Sequence, residues 1–145
     1  MPVAHEGGRY LVDNKAHQRA FTGYVIEHRG VTVYFPGDTA YRQEVFTAVA
    51  RRFPRIDLAL LPIGPRTPTA MMRPSHLDPL QALQAAADLD AQQVVPIHFG
   101  TFQHSYDEPG ALEALFDRAA ARDARFRGRV QRLLIGERRV LLPGW

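Results

Sequence analysis

Three short, nearly continuous apolar runs constrain this chain more than any other feature: "VTVYFP" (31–36), "DLALLPIG" (57–64) and "QVVPIH" (93–98). Each has the length of a strand, the first and third are rich in β-branched residues, and the second has the pattern of a strand buried on both faces. The runs alternate with helical stripes. Phe46, Val49, Ala50 and Phe53 recur at i, i+3, i+4 and i+7. Leu80, Leu83 and Ala87 share the face of a second helix, with Asp78 as its cap and Pro79 at its first position. Leu112, Leu115, Phe116 and Ala119 mark a third. Upstream, "FTGYVIEH" (21–28) reaches the first run through Arg29-Gly30, which predicts a hairpin. Downstream, "VQRLLIGERRVLLPGW" reads as two short strands around Gly136-Glu137. Strands alternating with helices in one 145-residue chain, with neither repeat nor linker, predict a single α/β domain.

Ligands in such sheets sit beyond the carboxyl ends of the strands, so the residues just after each run carry the most information. The first run ends on Gly37-Asp38-Thr39, the second on Ile63-Gly64 before a Pro-rich loop (64–79), and the third on Ile97-His98. Asp38, His98 and the loop carrying His76 are therefore expected at one edge. Read alone, Asp38 is a cap for the 41–53 helix, and Gly37 gives it a second reading, because a glycine lets backbone pass close to a ligand. His98 is either a half-buried imidazole or a metal ligand. His76 is either a loop residue or a general acid/base near neutral pH. His5 lies near the N-terminus, and His104 stands in reserve behind His98, whereas His17 and His28 read as bland.

Composition narrows the chemistry. There is no cysteine, so a metal would be held by imidazole and carboxylate. The net charge is +3, and 17 of the 18 basic residues are arginine. Arg118, Arg122, Arg125, Arg127, Arg129 and Arg132 cluster near the C-terminus, but only Phe126 is interleaved, so a solvated helix face is expected rather than a nucleic-acid surface. No run approaches the ~18 apolar residues of a membrane span and no signal peptide is visible, which makes the cytoplasm the expected location. Three histidines and one aspartate at strand ends or in loops, without a Walker loop or serine elbow, point generically to a hydrolytic His/Asp metal site.

The combination "FPGDTAY", "DLALLPIG", "MRPSHLDPLQALQAAADL" and "VVPIHFGTF", preceded by "PVAHEGGR", resembles the second half of the metallo-β-lactamase superfamily. It is most similar to the branch containing N-acylphosphatidylethanolamine-hydrolysing phospholipase D and ascorbate-6-phosphate lactonase. The likeness runs from about Pro2 to the helix after His98. It implies an αββα sandwich with a two-metal site, usually zinc, with manganese or iron as alternatives. It further implies that His5 and His98 are metal ligands, that Asp38 bridges the metals, and that His76, in His-x-Asp-Pro, assists catalysis as a proton donor or phosphate contact. The reaction implied is hydrolysis of a small-molecule phosphodiester or lactone by metal-activated hydroxide.

The His-x-His-x-Asp-His signature of that family does not occur in this sequence. The expectation is therefore a partial domain over 1–145, the C-terminal half of the sandwich, with an exposed apolar face or sheet edge. The alternative is a non-catalytic half-domain that forms a homodimer or pairs with a separate N-terminal lobe.

Overall fold

Arg29 and Gly30 both adopt positive φ, 47° and 79°. This is the primed two-residue turn whose twist matches that of the strands it joins. It connects strand β2 (Gly23–His28) to β3 (Val31–Phe35) in an antiparallel register that pairs Tyr24 with Phe35 and His28 with Val31. These observations come from a computed structural model, which describes residues 2–3, 22–103 and 105–142. A two-residue strand β1 (Pro2–Val3) pairs antiparallel with β2.

From β3 the sheet turns parallel. Helix α1 (Gln43–Arg52) leads to β4 (Leu58–Pro62), which pairs with β3 through Val33–Leu58 and Tyr34–Ala59. A short helix α2 (Thr69–Met72) and helix α3 (Pro79–Asp88) lead to β5 (Gln93–Ile97), paired with β4 from Leu58–Gln93 to Pro62–Ile97. Helix α4 (Ala111–Arg122) and a 3-10 turn (Ala124–Phe126) come next. The strand order β1-β2-β3-β4-β5 is sequential, so the parallel strands finish at the same edge.

The core lies on one face of this sheet. Val25, Tyr34, Ala59, Leu61 and Val94 meet Phe46 and Val49 of α1, Leu83 and Ala86 of α3, and Phe116 of α4, all buried. Tyr34 packs edge-on against Phe46, with centroids 6.3 Å apart, and Tyr41 stacks on the same ring at 5.8 Å. The Tyr41 hydroxyl donates to Asp88 Oδ2 at 2.7 Å, tying the segment after Asp38 to α3. On the other face of the hairpin, Tyr24, Ile26 and Phe35 are 36–48% exposed, the apolar face expected from the sequence.

Two expectations need correction. Leu80 lies outward, and α3 instead buries Ala82, Leu83, Ala85 and Ala86; with four alanines the stripe was set by packing rather than by the largest side chains. The C-terminal strand-like runs form no strand among the described residues. Val130 alone bridges Val94. The chain then turns at Gly136, where Leu134 N–H donates to Glu137 Oε2 (2.8 Å) and Glu137 N–H to the Leu134 carbonyl (2.9 Å). Those bonds occupy the backbone groups a ladder would need, and leave Leu134 and Ile135 exposed.

Asp78 caps α3 as expected. Its Oδ1 accepts from the N–H groups of Leu80 and Gln81, both at 2.9 Å, and Gln81 Oε1 accepts from Asp78 N–H at 3.1 Å. Asp78→Ala is expected to lose about 1 kcal/mol, seen as a lower urea midpoint at unchanged slope. Arg29→Asn places a residue tolerant of positive φ in the hairpin turn and is expected to add about 0.5–1 kcal/mol of stability, raising the same midpoint.

Candidate functional site

Asp38 leaves β3 through Pro36 and Gly37. Gly37 has φ 72° and nothing within 4 Å of where a Cβ would stand. It is there for its left-handed backbone, not to admit a close neighbour. Behind Asp38, Thr39 and Ala40 are buried, and Tyr41 is held by its stack on Phe46. The carboxylate is therefore presented from an anchored segment, with its side chain 41% exposed. It does not cap α1, whose N-cap is Arg42 with no side-chain hydrogen bond.

His98 follows β5 with φ 61°, a left-handed conformation that a residue carrying a Cβ adopts at a cost. Its Nδ1 lies 2.9 Å from the Gly64 carbonyl. A carbonyl only accepts, so Nδ1 carries the hydrogen, and in the neutral ring Nε2 is then the acceptor, the tautomer in which imidazole binds metals. That Nε2 faces Asp38 Oδ2 at 3.8 Å. Two acceptors facing each other repel unless a cation or proton lies between them. Donors sharing one tetrahedral zinc stand about 3.3–3.5 Å apart, slightly closer than this pair, so the donor types fit an ion once the two side chains draw together.

His76 is fixed differently. Buried Ser75 and Leu77 flank it, and its backbone N–H donates to the Met72 carbonyl at 2.9 Å. Its Nδ1 lies 3.1 Å from that carbonyl and 3.0 Å from Ser75 Oγ, while Nε2 lies 3.1 Å from Asp38 Oδ2. Acceptors on both sides of the ring favour the imidazolium, which donates from both nitrogens. The hydrogen bond to Asp38 raises the His76 pKa, burial opposes it, and the Asp38 charge and the Met72 carbonyl raise it further, with a net upward shift.

The structure thus brings Asp38, His76 and His98 together, with the two imidazole centroids 6.0 Å apart. His5 and His104 lie outside the described residues. His28 ends β2 at the hairpin turn, the opposite end of β3 from Asp38. Among the described residues no three His, Asp or Glu side chains are grouped to hold an ion by themselves. A cavity of about 280 Å³ opens beside His98, lined by Phe99, Gly100, Thr101 and Phe102. Within the arginine cluster, Arg125, Arg129 and Arg132 pair with Asp123, Asp90 and Asp117, as a solvated face does.

Sequence reasoning missed Gly64, whose carbonyl orients His98, and Ser75, which flanks His76. It also missed Asp107, which joins the loops around them. Gly64 acts through backbone and Asp107 through partners distant in sequence, while Ser75 touches its neighbour only because of how the loop turns, and no local pattern marks any of them.

The profile of the beta-lactamase superfamily domain matches residues 1–99. The chain is 34% identical over 103 residues to the mitochondrial N-acyl-phosphatidylethanolamine-hydrolyzing phospholipase D of Saccharomyces cerevisiae, covering 70% of this chain and 22% of that protein. It is 36% identical over 98 residues to a metal-dependent hydrolase of Exiguobacterium sp., covering 68% and 39%. This chain therefore spans well under half the length of either relative. The isothiocyanate hydrolase from Delia radicum gut bacteria shares the fold, with a TM-score of 0.64 at 16% identity over 94% of this chain and 51% of that one. With its glycine-aspartate strand end, its α/β order and this match over two thirds of its length, the chain belongs to the metallo-β-lactamase superfamily.

Proposed function

We propose that this chain carries part of the metal and substrate site of a hydrolase that cleaves a phosphodiester, with a lactone as the alternative substrate. The observation that carries the reading is His98, locked by the Gly64 carbonyl into the tautomer that turns an acceptor toward Asp38. Asp38 and His98 would hold the metal, and the family resemblance adds His5 as a further ligand. Zinc suits this imidazole and carboxylate set, as do manganese and iron. When bound, the ion supplies a water acidified to near neutrality and a Lewis acid for the scissile group.

The remaining steps belong to the chain's own residues. The His76 imidazolium stands beside the carboxylate, within reach of a group bound at Asp38. There it can hydrogen-bond a phosphate oxygen or deliver its Nε2 proton to a departing alkoxide. Met72 holds the other nitrogen, so the ring keeps its orientation as the proton leaves. Phe99 and Phe102 line the cavity beside His98 and offer an apolar wall to the part of the substrate remote from the bond. The name of the yeast relative supports a phosphodiester over a lactone.

The exposed Tyr24, Ile26 and Phe35 favour a second reading, a non-catalytic module whose apolar face is covered by another copy or by a separate polypeptide. One experiment separates the two. The hydrolase reading expects zinc to co-purify with the chain and turnover of bis(p-nitrophenyl) phosphate. Asp38→Ala should lower zinc affinity roughly 100-fold and abolish turnover. No metal and no turnover, together with a concentration-dependent dimer in sedimentation, would establish the second reading instead.

The His76–Asp38 pair also predicts a pH dependence in metal-free protein. A histidine whose folded pKa is raised contributes stability that is complete below its unfolded pKa of about 6.5 and is lost as pH rises through the folded value. The thermal midpoint should therefore fall from pH 6 upward relative to that of Asp38→Asn, and equal slopes in the two proteins would refute the pairing.

A further inference from the structure

The loops that carry the two histidines leave neighbouring strands and meet again far from the sheet. At their base the ladder runs one step past the strands, Ile63 N–H donating to the Ile97 carbonyl at 3.1 Å. One step further on, His98 holds the Gly64 carbonyl. At their outer part a single carboxylate joins them. Asp107 Oδ2 accepts from the N–H groups of Arg66 (2.7 Å) and Thr67 (3.2 Å) and from Ser105 Oγ (3.0 Å). Asp107 Oδ1 accepts from Thr67 Oγ1 at 2.6 Å. Beside them, Tyr106 N–H donates to the Thr67 carbonyl at 3.1 Å.

A carboxylate has about four acceptor positions, and here four donors use them, three from the Arg66-Thr67 turn some 40 residues away. Burial pushes the Asp107 carboxyl up. The Thr67 hydroxyl, the two backbone N–H groups and Ser105 outweigh it and hold the group below its ordinary value. Only the ionised form can accept from all four. Thr67 lies two residues before α2, whose Met72 carbonyl holds both the backbone and the ring of His76. Ser105 and Asp107 belong to the segment after His98. The clasp therefore closes a ring from His98 through Gly64, Thr67 and Asp107 back along the segment to His98, and α2 extends that ring through Met72 to His76 and Asp38.

We propose that Asp107 is a positioning residue: by clasping the Arg66-Thr67 turn it fixes the loop bearing His76 against the segment after His98, and so sets the spacing of the two imidazoles about Asp38. The inference rests on the hydrolase reading for its catalytic meaning but not for its geometric content. Asp107→Asn is the probe, because the amide nitrogen turns a donor toward donors while keeping size and shape. The expected result is zinc affinity about 10-fold weaker by calorimetry and a kcat on bis(p-nitrophenyl) phosphate lowered by a similar factor. KM should stay within about twofold, and the thermal midpoint should fall modestly, since the lowered carboxyl contributes stability that the amide cannot.

Thr67→Val removes one of the four bonds and should show the same pattern at a smaller size, which keeps the test available where Asp107→Asn folds poorly. A lower midpoint with zinc affinity and kcat unchanged in the folded protein would reduce Asp107 to a stability contact and overturn the proposal. Should the wild type bind no zinc, the hydrolase reading fails and the clasp is judged on metal-free protein. Nitrogen-15 shifts of the His76 and His98 rings must then move in Asp107→Asn while core amides such as those of Phe46 and Val94 stay put. Unmoved imidazole signals would overturn the proposal on their own.

Discussion

The parallel pairing of β3, β4 and β5 is the constraint on which the rest of the molecule depends. Each parallel strand is regained through a helix that must cross back over the sheet. Chemistry-bearing residues placed just after the strands therefore appear at one edge, Asp38 and His98 two strands apart with the loop bearing His76 leaving the strand between them. Asp38, the loop bearing His76, and His98 need no special device to meet. They need strands of matched length, and the register from Leu58–Gln93 to Pro62–Ile97 provides it. The helices contribute by burying Phe46, Leu83 and Phe116 against one sheet face, which holds those ends still.

On that frame the two imidazoles are set to opposite tasks. Both present Nε2 to the same carboxylate oxygen and both hold a backbone carbonyl at Nδ1, but they stand at different distances from that oxygen, 3.1 Å for His76 and 3.8 Å for His98. His76 is within hydrogen-bond reach of the carboxylate and donates to it, whereas His98, tethered to the Gly64 carbonyl, stands off at a distance that leaves room for an ion. One carboxylate thus stands between a ring suited to a cation and a ring that is itself one. The difference arises from where two loops set the rings, and so from the paths those loops take rather than from the residue type.

How much of this could be read from the sequence depends on how far each interaction reaches. The hairpin turn, the cap at Asp78 and the three apolar strands are local, and each appears where the residues predict it. Leu80 misled because a helix stripe built from alanines carries little contrast, and burial was decided by which face α4 and the sheet could approach. The C-terminal apolar runs misled because apolar residues make a strand only when a neighbouring edge accepts their backbone, and the turn at Gly136 satisfies those groups locally. Asp38 is the instructive case. Its local reading, a cap, is displaced because α1 begins at Gln43 with Arg42 before it. That leaves the carboxylate for the site.

The sequence by itself determined the alternation of strands and helices, the absence of thiolate chemistry, and the placing of Asp38, His76 and His98 after strands that end together. Those arise from periodicity and residue type, which act over a few positions. Only the tertiary structure decided which imidazole nitrogen carries a hydrogen, which carbonyl fixes it, and that Asp107 grips a turn forty residues away. Those depend on distances of about 3 Å between segments remote in sequence, and folding sets such distances through the packing of the whole sheet.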